Sequence, residues 1–285
     1  LIKNRVSIVI VTHNSSAALD GCQANLRETL ADVDHQLVVV DNASSDDSLE
    51  IIERHYPEAV VVRNTKNRGF AAACNQGAAR TDGEFLLFVN PDVRLDPGAV
   101  ECMMALIRSD HKVGAVAPRL RHPDGRFQPT CRRLPTIYNL LFSRGSMLSR
   151  LIGDRRIYTL PDYSETTEVE AVAAAVMMIR SLEFSRMEGF DERFFMYMED
   201  TDLCCRLKAR RYRNYFVLAA GGVHDWGRGS DAGRIRRAWR HHFSVWKYFL
   251  KHLPNGFSLL VLPLLLAMNL LLTIIVPPYR RSGRR

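Results

Sequence analysis

Carboxylates set beside aromatic and polar neighbours carry most of the chemistry open to this sequence. In Met187 to Arg210, MEGFDERFFMYMEDTDLCCRLKAR, the run Glu199-Asp200-Thr201-Asp202 opens an evident helix just after Phe194, Phe195 and Tyr197. Successive acids at a helix start point in different directions, so one can face a cleft as a general base while another serves the helix terminus. Complementing the macrodipole is the simpler role of such acids, and it covers Asp202. Asp92, in Val89-Asn90-Pro91-Asp92, is placed to bind a divalent cation that bridges a diphosphate, or else to form the turn that Pro-Asp favours. The residue two before it is Asn90, a weaker metal donor than a carboxylate. His224 follows the strand-like run YFVLAA at 215 to 220 and lies in the Gly-rich stretch GGVHDWGRGS. It is a candidate metal or phosphate ligand, although a lone histidine is more often neither.

Asp41 ends another apolar run, where a carboxylate can accept the imide N–H of uracil or thymine, or a ribose hydroxyl. Its other role is to cap the next helix. Ser44 and Ser45 are better placed for capping, which favours the nucleotide role. Residues 67 to 75, NRGFAAACN, open a helix of small residues. A nucleotide can approach such a helix N-terminus, with Arg68 offering a charge to phosphate, while Ala72 and Ala73 also suit close packing on a sheet.

The elements that must hold these residues are short β-branched runs: VSIVIV at 6 to 11, QLVVV at 36 to 40, AVVV at 59 to 62 and EFLLFV at 84 to 89. They read as buried parallel strands. Helices beginning near Ser15, Ser45 and Gly69 make right-handed crossovers between them, which predicts a doubly wound α/β sheet. Function then belongs at the strand carboxyl ends, which carry Thr12-His13-Asn14, Asp41-Asn42-Ala43-Ser44, Asn64 and Asn90-Pro91-Asp92. A dinucleotide fingerprint requires G-x-G-x-x-G after the first strand, where this chain has THNSSA, and a P-loop is missing too. Dehydrogenase and kinase readings lose their main support, and side chains must do the nucleotide binding.

The chain has 285 residues, 47% hydrophobic and 25% charged, which excludes a disordered, collagenous or disulfide-stapled protein. Its net charge of +8 is uneven: Arg206 to Arg285 holds 16 Lys or Arg against Asp225 and Asp231. A basic C-terminal third calls for nucleic acid or an anionic membrane. Residues 256 to 276, GFSLLVLPLLLAMNLLLTIIV, are uncharged and of bilayer length as a helix, about 31 Å. Membrane is preferred over a buried core helix, either as a single span or, because Pro263 can break the helix and basic residues flank both ends, as monotopic attachment. Residues 137 to 152 are either a membrane-surface segment or an ordinary packed insertion. No RNA-binding or helix-turn-helix signature supports nucleic acid. The six cysteines show no C-x-x-C pair, so reduced thiols are expected, and no secretory signal precedes the first strand.

Taken in order, VIVTHN, VVVDNASSDDS, NRGFAAACNQG, FVNPDV, GFDERFFMYMEDTDLCCR and VHDWGRGS resemble a family 2 glycosyltransferase of the GT-A-type fold, in particular its bacterial rhamnosyltransferase-like branch. The resemblance covers roughly residues 5 to 245. It implies an inverting transfer from a nucleoside diphosphate sugar, with Thr12, Asn14, Asp41 and Asn42 holding the nucleoside and Arg68, Gly69 and Asn75 the ribose and diphosphate side. Asp92 takes the place of the metal carboxylate in the family's D-x-D-like motif, for Mg²⁺ or Mn²⁺, with Asn90 before it where many relatives have Asp. His224 becomes a second metal ligand or a diphosphate contact. Asp200 is then the base, with Glu199 beside it and Asp191 shaping the acceptor site. Arg132 and Arg133 are positioned to meet the diphosphate of a polyprenyl-linked saccharide acceptor. The donor expected first is dTDP-rhamnose, with UDP-sugars as the alternative.

These readings place a transferase domain at 1–232 and a basic, membrane-associating segment at 233–285, at the cytoplasmic face of the inner membrane. A nucleotidylyltransferase lacks its triphosphate loop here, and a processive synthase requires several spans. A non-catalytic membrane-bound nucleotide-sugar binder is the remaining alternative, against which the joint presence of Asp92, Asp200 and His224 argues.

Overall fold

The computed structural model describes residues 1–142, 159–225 and 233–275. The four β-branched runs form β1 (Ile2–Thr12), β2 (His35–Asp41), β3 (Val60–Arg63) and β4 (Gly83–Val89). The runs lack polar alternation because helices cover both faces of the sheet. Between them come α1 (Ser16–Thr29), α2 (Ser48–His55) and α3 (Phe70–Ala78). The second of these begins at Ser48 rather than near Ser45. Asp46 decides this, because its carboxylate accepts the amides of both Ser48 (3.1 Å) and Ser16 (2.9 Å) and so gathers the starts of α1 and α2.

The chain continues through β5 (Val93–Leu95), α4 (Ala99–Ser109), β6 (Val113–Arg121), β7 (Cys131–Arg132) and α5 (Ile137–Phe142). After residue 158 follow β8 (Thr167–Val169), β9 (Ala171–Val172), β10 (Val176–Arg180), α6 (Ser181–Arg186), α7 (Glu199–Ala209) and β11 (Arg213–His224). The main sheet runs β3-β2-β1-β4-β10-β6-β11-β5, with β8 against β11. Strands β1 to β4 are parallel, as expected. Beyond them the sheet is mixed, since β10 lies antiparallel between β4 and β6. The chain leaves β1 towards β2 on one side and returns at β4 on the other, so the carboxyl ends of β1, β2 and β4 surround a topological switch point.

One sheet face buries Leu19, Leu26, Ile52, Met103 and Ile107 from α1, α2 and α4; the other buries Ala71, Cys74, Phe184, Leu203 and Leu207 from α3, α6 and α7. A third cluster, Phe194, Met198, Val245, Tyr248, Phe249 and Leu262, joins the C-terminal helices to the segment before α7. Five cysteines, at 74, 102, 131, 204 and 205, are free thiols.

The C-terminal segment departs from the bilayer-length helix expected of it. Helix α8 (Arg234–His252) is followed by a π-helical turn at Phe257–Val261 and by α9 (Leu262–Ile275), of 14 residues. Pro263 has no N–H for the i→i−4 ladder, which fits the wider turn just before it. Polar ties fold α9 back along α8: Trp246 Nε1 donates to Ser258 O (3.2 Å), and Asn269 Nδ2 lies 2.8 Å from His242 Nε2. Among the described residues no helix is long and apolar enough to cross a membrane, so the single-span expectation is not supported. Of the second membrane candidate, 137 to 142 form α5, and 143 to 152 lie outside the described residues.

Candidate active site

At the ends of β1 and β2 the structure gathers four of the expected donor residues. Thr12 Oγ1 donates to Asp41 Oδ1 (3.2 Å), Asn42 N to Thr12 O (2.8 Å) and Ser44 N to Asp41 Oδ2 (3.2 Å). Asp41 therefore organises its own turn, as a capping acid would, while staying at the ligand edge. Asn14, in the left-handed region (φ 52°), receives Ser45 N–H on Oδ1 (2.8 Å) and pins the β1 and β2 turns together. The Asn42 side chain is buried and committed at both ends: Nδ2 donates to Asn67 Oδ1 (3.0 Å) and Gly69 O (3.1 Å), and Oδ1 accepts from Arg68 N (2.9 Å). It shapes the loop that enters α3.

That loop needs its glycine. Gly69 has φ +88°, and a Cβ on it would stand 2.4 Å from Phe195 O, the oxygen to which Phe70 N donates at 2.7 Å. Asn75, expected on the ribose side, exchanges two hydrogen bonds with the backbone of Phe190 (2.8 and 2.9 Å), which ties α3 to the segment leading into α7. An open cleft of about 420 Å³ lies beside the α3 N-terminus, lined by Asn64, Thr65, Lys66, Arg68, Ala72 and Glu192. Two cations and a helix N-terminus make this wall suited to phosphate. Lys66 and Glu192 were not singled out from sequence, although Lys66 stands two residues before Arg68.

At the end of β4, Asn90 N donates to Ala175 O (2.9 Å). His224 is the last residue of β11, opposite Val93, rather than part of the following loop. Its Nε2 lies 3.1 Å from Asp92 Oδ1, both side chains are 5% exposed, and neither ring nitrogen makes a hydrogen bond. A buried imidazole without hydrogen bonds, facing a carboxylate, is a donor set that fits a divalent cation. No cluster of three or more His, Cys, Asp or Glu suited to a metal occurs among the described residues, so further ligands would come from substrate or water.

The turn Ala173 to Ala175 brings Asp200, the residue expected to be the base, to the same edge. Ala175 O holds Asn90, and one residue earlier Ala174 N donates to Asp200 Oδ2 (3.2 Å). This all-apolar turn gave no sequence signal of a role. Asp200 Oδ2 also pairs with Arg132 Nη2 at 2.8 Å, so Arg132, expected at an acceptor diphosphate, stands on Asp200, whereas Arg133 is exposed. Tyr197 and Met198, both left-handed (φ 70° and 71°), turn the chain into α7. Glu199 is buried, its Oε2 makes no hydrogen bond, and burial together with the Asp200 charge pushes its carboxyl up to about 8. Asp191, expected at the acceptor, pairs with Arg193 and Lys251 (2.7 Å to Lys251); burial opposes its charge, but these hydrogen bonds outweigh it and hold the carboxyl below its usual range.

Asp202 is more than a complement to the macrodipole. It is fully buried and paired with Arg206 (2.8 Å), Lys251 (2.6 Å) and His252 (2.7 Å), which fastens α7 to the end of α8. Burial works against the His252 charge, yet its bonds to Asp202 and Cys205 raise it to about 9.

The model of the family described as Glycosyl transferase family 2 matches residues 7–164. Over 257 residues the chain is 26% identical to the N-acetylglucosaminyl-diphospho-decaprenol L-rhamnosyltransferase of Mycobacterium tuberculosis, across 84% of this chain and 82% of that protein. It is 26% identical over 254 residues to the rhamnosyltransferase WbbL of Escherichia coli, across 86% and 93%. The mannosyltransferase PcManGT of Pyrobaculum calidifontis, solved with GDP-Man and Mn²⁺, superposes with a TM-score of 0.61 at 18% identity, covering all of this chain and 77% of that one. The last likeness speaks for the fold, which is of the GT-A type. The family model spans more than half of the sequence, and together with the two bacterial relatives it makes this chain a rhamnosyltransferase-like member of glycosyl transferase family 2.

Proposed function

We propose that this glycosyltransferase moves a sugar, rhamnose from dTDP-rhamnose in the first instance, onto a saccharide carried by a polyprenyl diphosphate, with inversion at the anomeric carbon, in the synthesis of a cell-surface polysaccharide. One observation carries the reading. The 173–175 turn holds Asn90 through Ala175 and Asp200 through Ala174, so a leaving-group side at Asp92 and His224 and a base side at Asp200 share one sheet edge. The names of the two curated relatives support the sugar, and the Mycobacterium tuberculosis protein's name supports the lipid diphosphate.

In this reading the β1 and β2 turns, with Thr12, Asn14, Asp41 and Asn42, receive the nucleoside, and Arg68 and Lys66 face the diphosphate. A divalent cation, Mg²⁺ or Mn²⁺, held by Asp92 and His224 would neutralise charge on the departing diphosphate. Asp200 takes the proton of the acceptor hydroxyl as its oxygen attacks from the opposite face, and one displacement inverts the centre. Phe194 and Met198, in the segment that enters α7, are buried against the C-terminal helices.

The C-terminal part, 233–285, attaches this body to an anionic membrane in the same reading. On α8 the exposed Ile235, Trp239 and Phe243 follow one another at i, i+4 and i+8, and on the hairpin's second arm exposed Leu260, Leu264 and Met268 do the same. Arg236 and Arg237 are exposed beside the first stripe. Apolar stripes edged by arginine fit an interfacial helix at the cytoplasmic leaflet.

Calorimetry with dTDP, UDP and GDP, each with Mn²⁺ or Mg²⁺ and without, tests the donor site on the wild type and on Asp92→Ala. Metal-enhanced dTDP or UDP binding, weakened at least tenfold in the variant, is expected. No nucleoside diphosphate binding under any condition would sink the reading.

A further inference from the structure

Asp200 has no lone pair to spare. Oδ1 accepts the Thr201 amide (2.6 Å) and the Thr201 hydroxyl (3.1 Å), and Oδ2 accepts Arg132 Nη2 (2.8 Å) and the Ala174 amide (3.2 Å). A carboxylate offers about four acceptor sites, so an incoming hydroxyl finds none until one donor leaves. Two of the donors are backbone amides, fixed by α7 and by the 173–175 turn. The third belongs to Thr201, which is fully buried and has no solvent to turn towards. Arg132 is the exception: its guanidinium sits on a long stem, 22% exposed, on the two-residue strand β7. Its charge persists at any working pH, so what can draw it from one anion is another, more highly charged anion.

We infer that Arg132 is a positioning residue that gates the base: the diphosphate of the acceptor draws the guanidinium off Asp200 Oδ2, and that oxygen then takes the acceptor hydroxyl's proton. The inference rests on the transferase reading above and adds an order of events to it. The hydroxyl O–H breaks as its proton passes to Oδ2, the oxygen bonds to the anomeric carbon, and the bond to the nucleoside diphosphate breaks with its electron pair leaving on the diphosphate. With donor alone in the site, water meets a carboxylate whose acceptor positions are filled, so the gate protects the donor from hydrolysis until a lipid diphosphate arrives.

The test measures donor hydrolysis without acceptor, and transfer with it, for wild type, Arg132→Ala and Arg132→Lys. For Arg132→Ala, hydrolysis is expected to rise at least fivefold while the acceptor KM rises tenfold or more; Arg132→Lys falls between it and the wild type. A purely structural arginine would lower both reactions together, and that result overturns the gate. An arm that needs no variant adds farnesyl diphosphate, which has the diphosphate but no sugar hydroxyl, to the wild type in excess Mg²⁺. Donor hydrolysis should then rise several-fold, and no rise at any concentration overturns the gate even if both variants misfold. Transfer that stays intact alongside such a negative removes the gate alone, whereas a wild type without any transfer removes the transferase reading with it.

Discussion

Glu199 and Asp200 are adjacent, yet the protein treats their carboxyls in opposite ways. Asp200 is saturated with hydrogen bonds, while Glu199 is buried with one oxygen unsatisfied and titrates near 8. The unfolded chain releases that proton near 4.5, so between about pH 4.5 and 8 the folded state holds a proton that the unfolded state has lost, and stability falls as pH rises through that window. Glu199→Gln removes the dependence. Thermal melts should show the variant gaining several degrees on the wild type at pH 8 and little at pH 5; equal curves at both would show that Glu199 ionises freely. The sequence made it legible that these acids fan out at a helix start. Which one meets a cation was hidden, because Arg132 comes from 68 positions away and nothing local marks the approach.

At the scale of elements, the site depends on how α3 and α7 are anchored. Gly69→Ala forces a side chain against the Phe195 carbonyl in a backbone region unfavourable to it, and should cost about 1–3 kcal/mol in urea unfolding, with weakened nucleotide binding. The parallel strands, the first crossovers and the start of α7 were readable because they rest on local periodicity and capping. The antiparallel insertion of β10 was not, since VMMIR at 176–180 looks the same whichever way it runs; its long-range pairing to β4 decides. Asp202 was likewise read as a terminal acid because its partners Lys251 and His252 lie on another helix. His252, raised to about 9, contributes stability that is complete below its ordinary 6.5 and lost as pH rises through 9. His252→Gln should therefore melt several degrees lower than wild type at pH 6, with the gap closing by pH 10.

For the molecule as a whole, the C-terminal hairpin presents apolar stripes that the body does not cover. Replacing both Trp239 and Phe243 with Ser should cut flotation with vesicles containing anionic lipid at least fivefold while leaving soluble nucleotide binding unchanged; unaltered flotation would remove the hairpin from any membrane role. Length and hydropathy disclosed an apolar segment here, but its folding back along α8 followed from Asn269 meeting His242, a pairing that composition does not reveal. The same helix α8 is riveted to α7 through Asp202, Lys251 and His252. On the membrane reading this rivet is a ruler. It sets the height of Asp200 above the lipid plane, so the enzyme would select acceptors by how far their hydroxyl stands from the lipid, and a glycan one sugar longer or shorter would be refused without any contact that reads its identity.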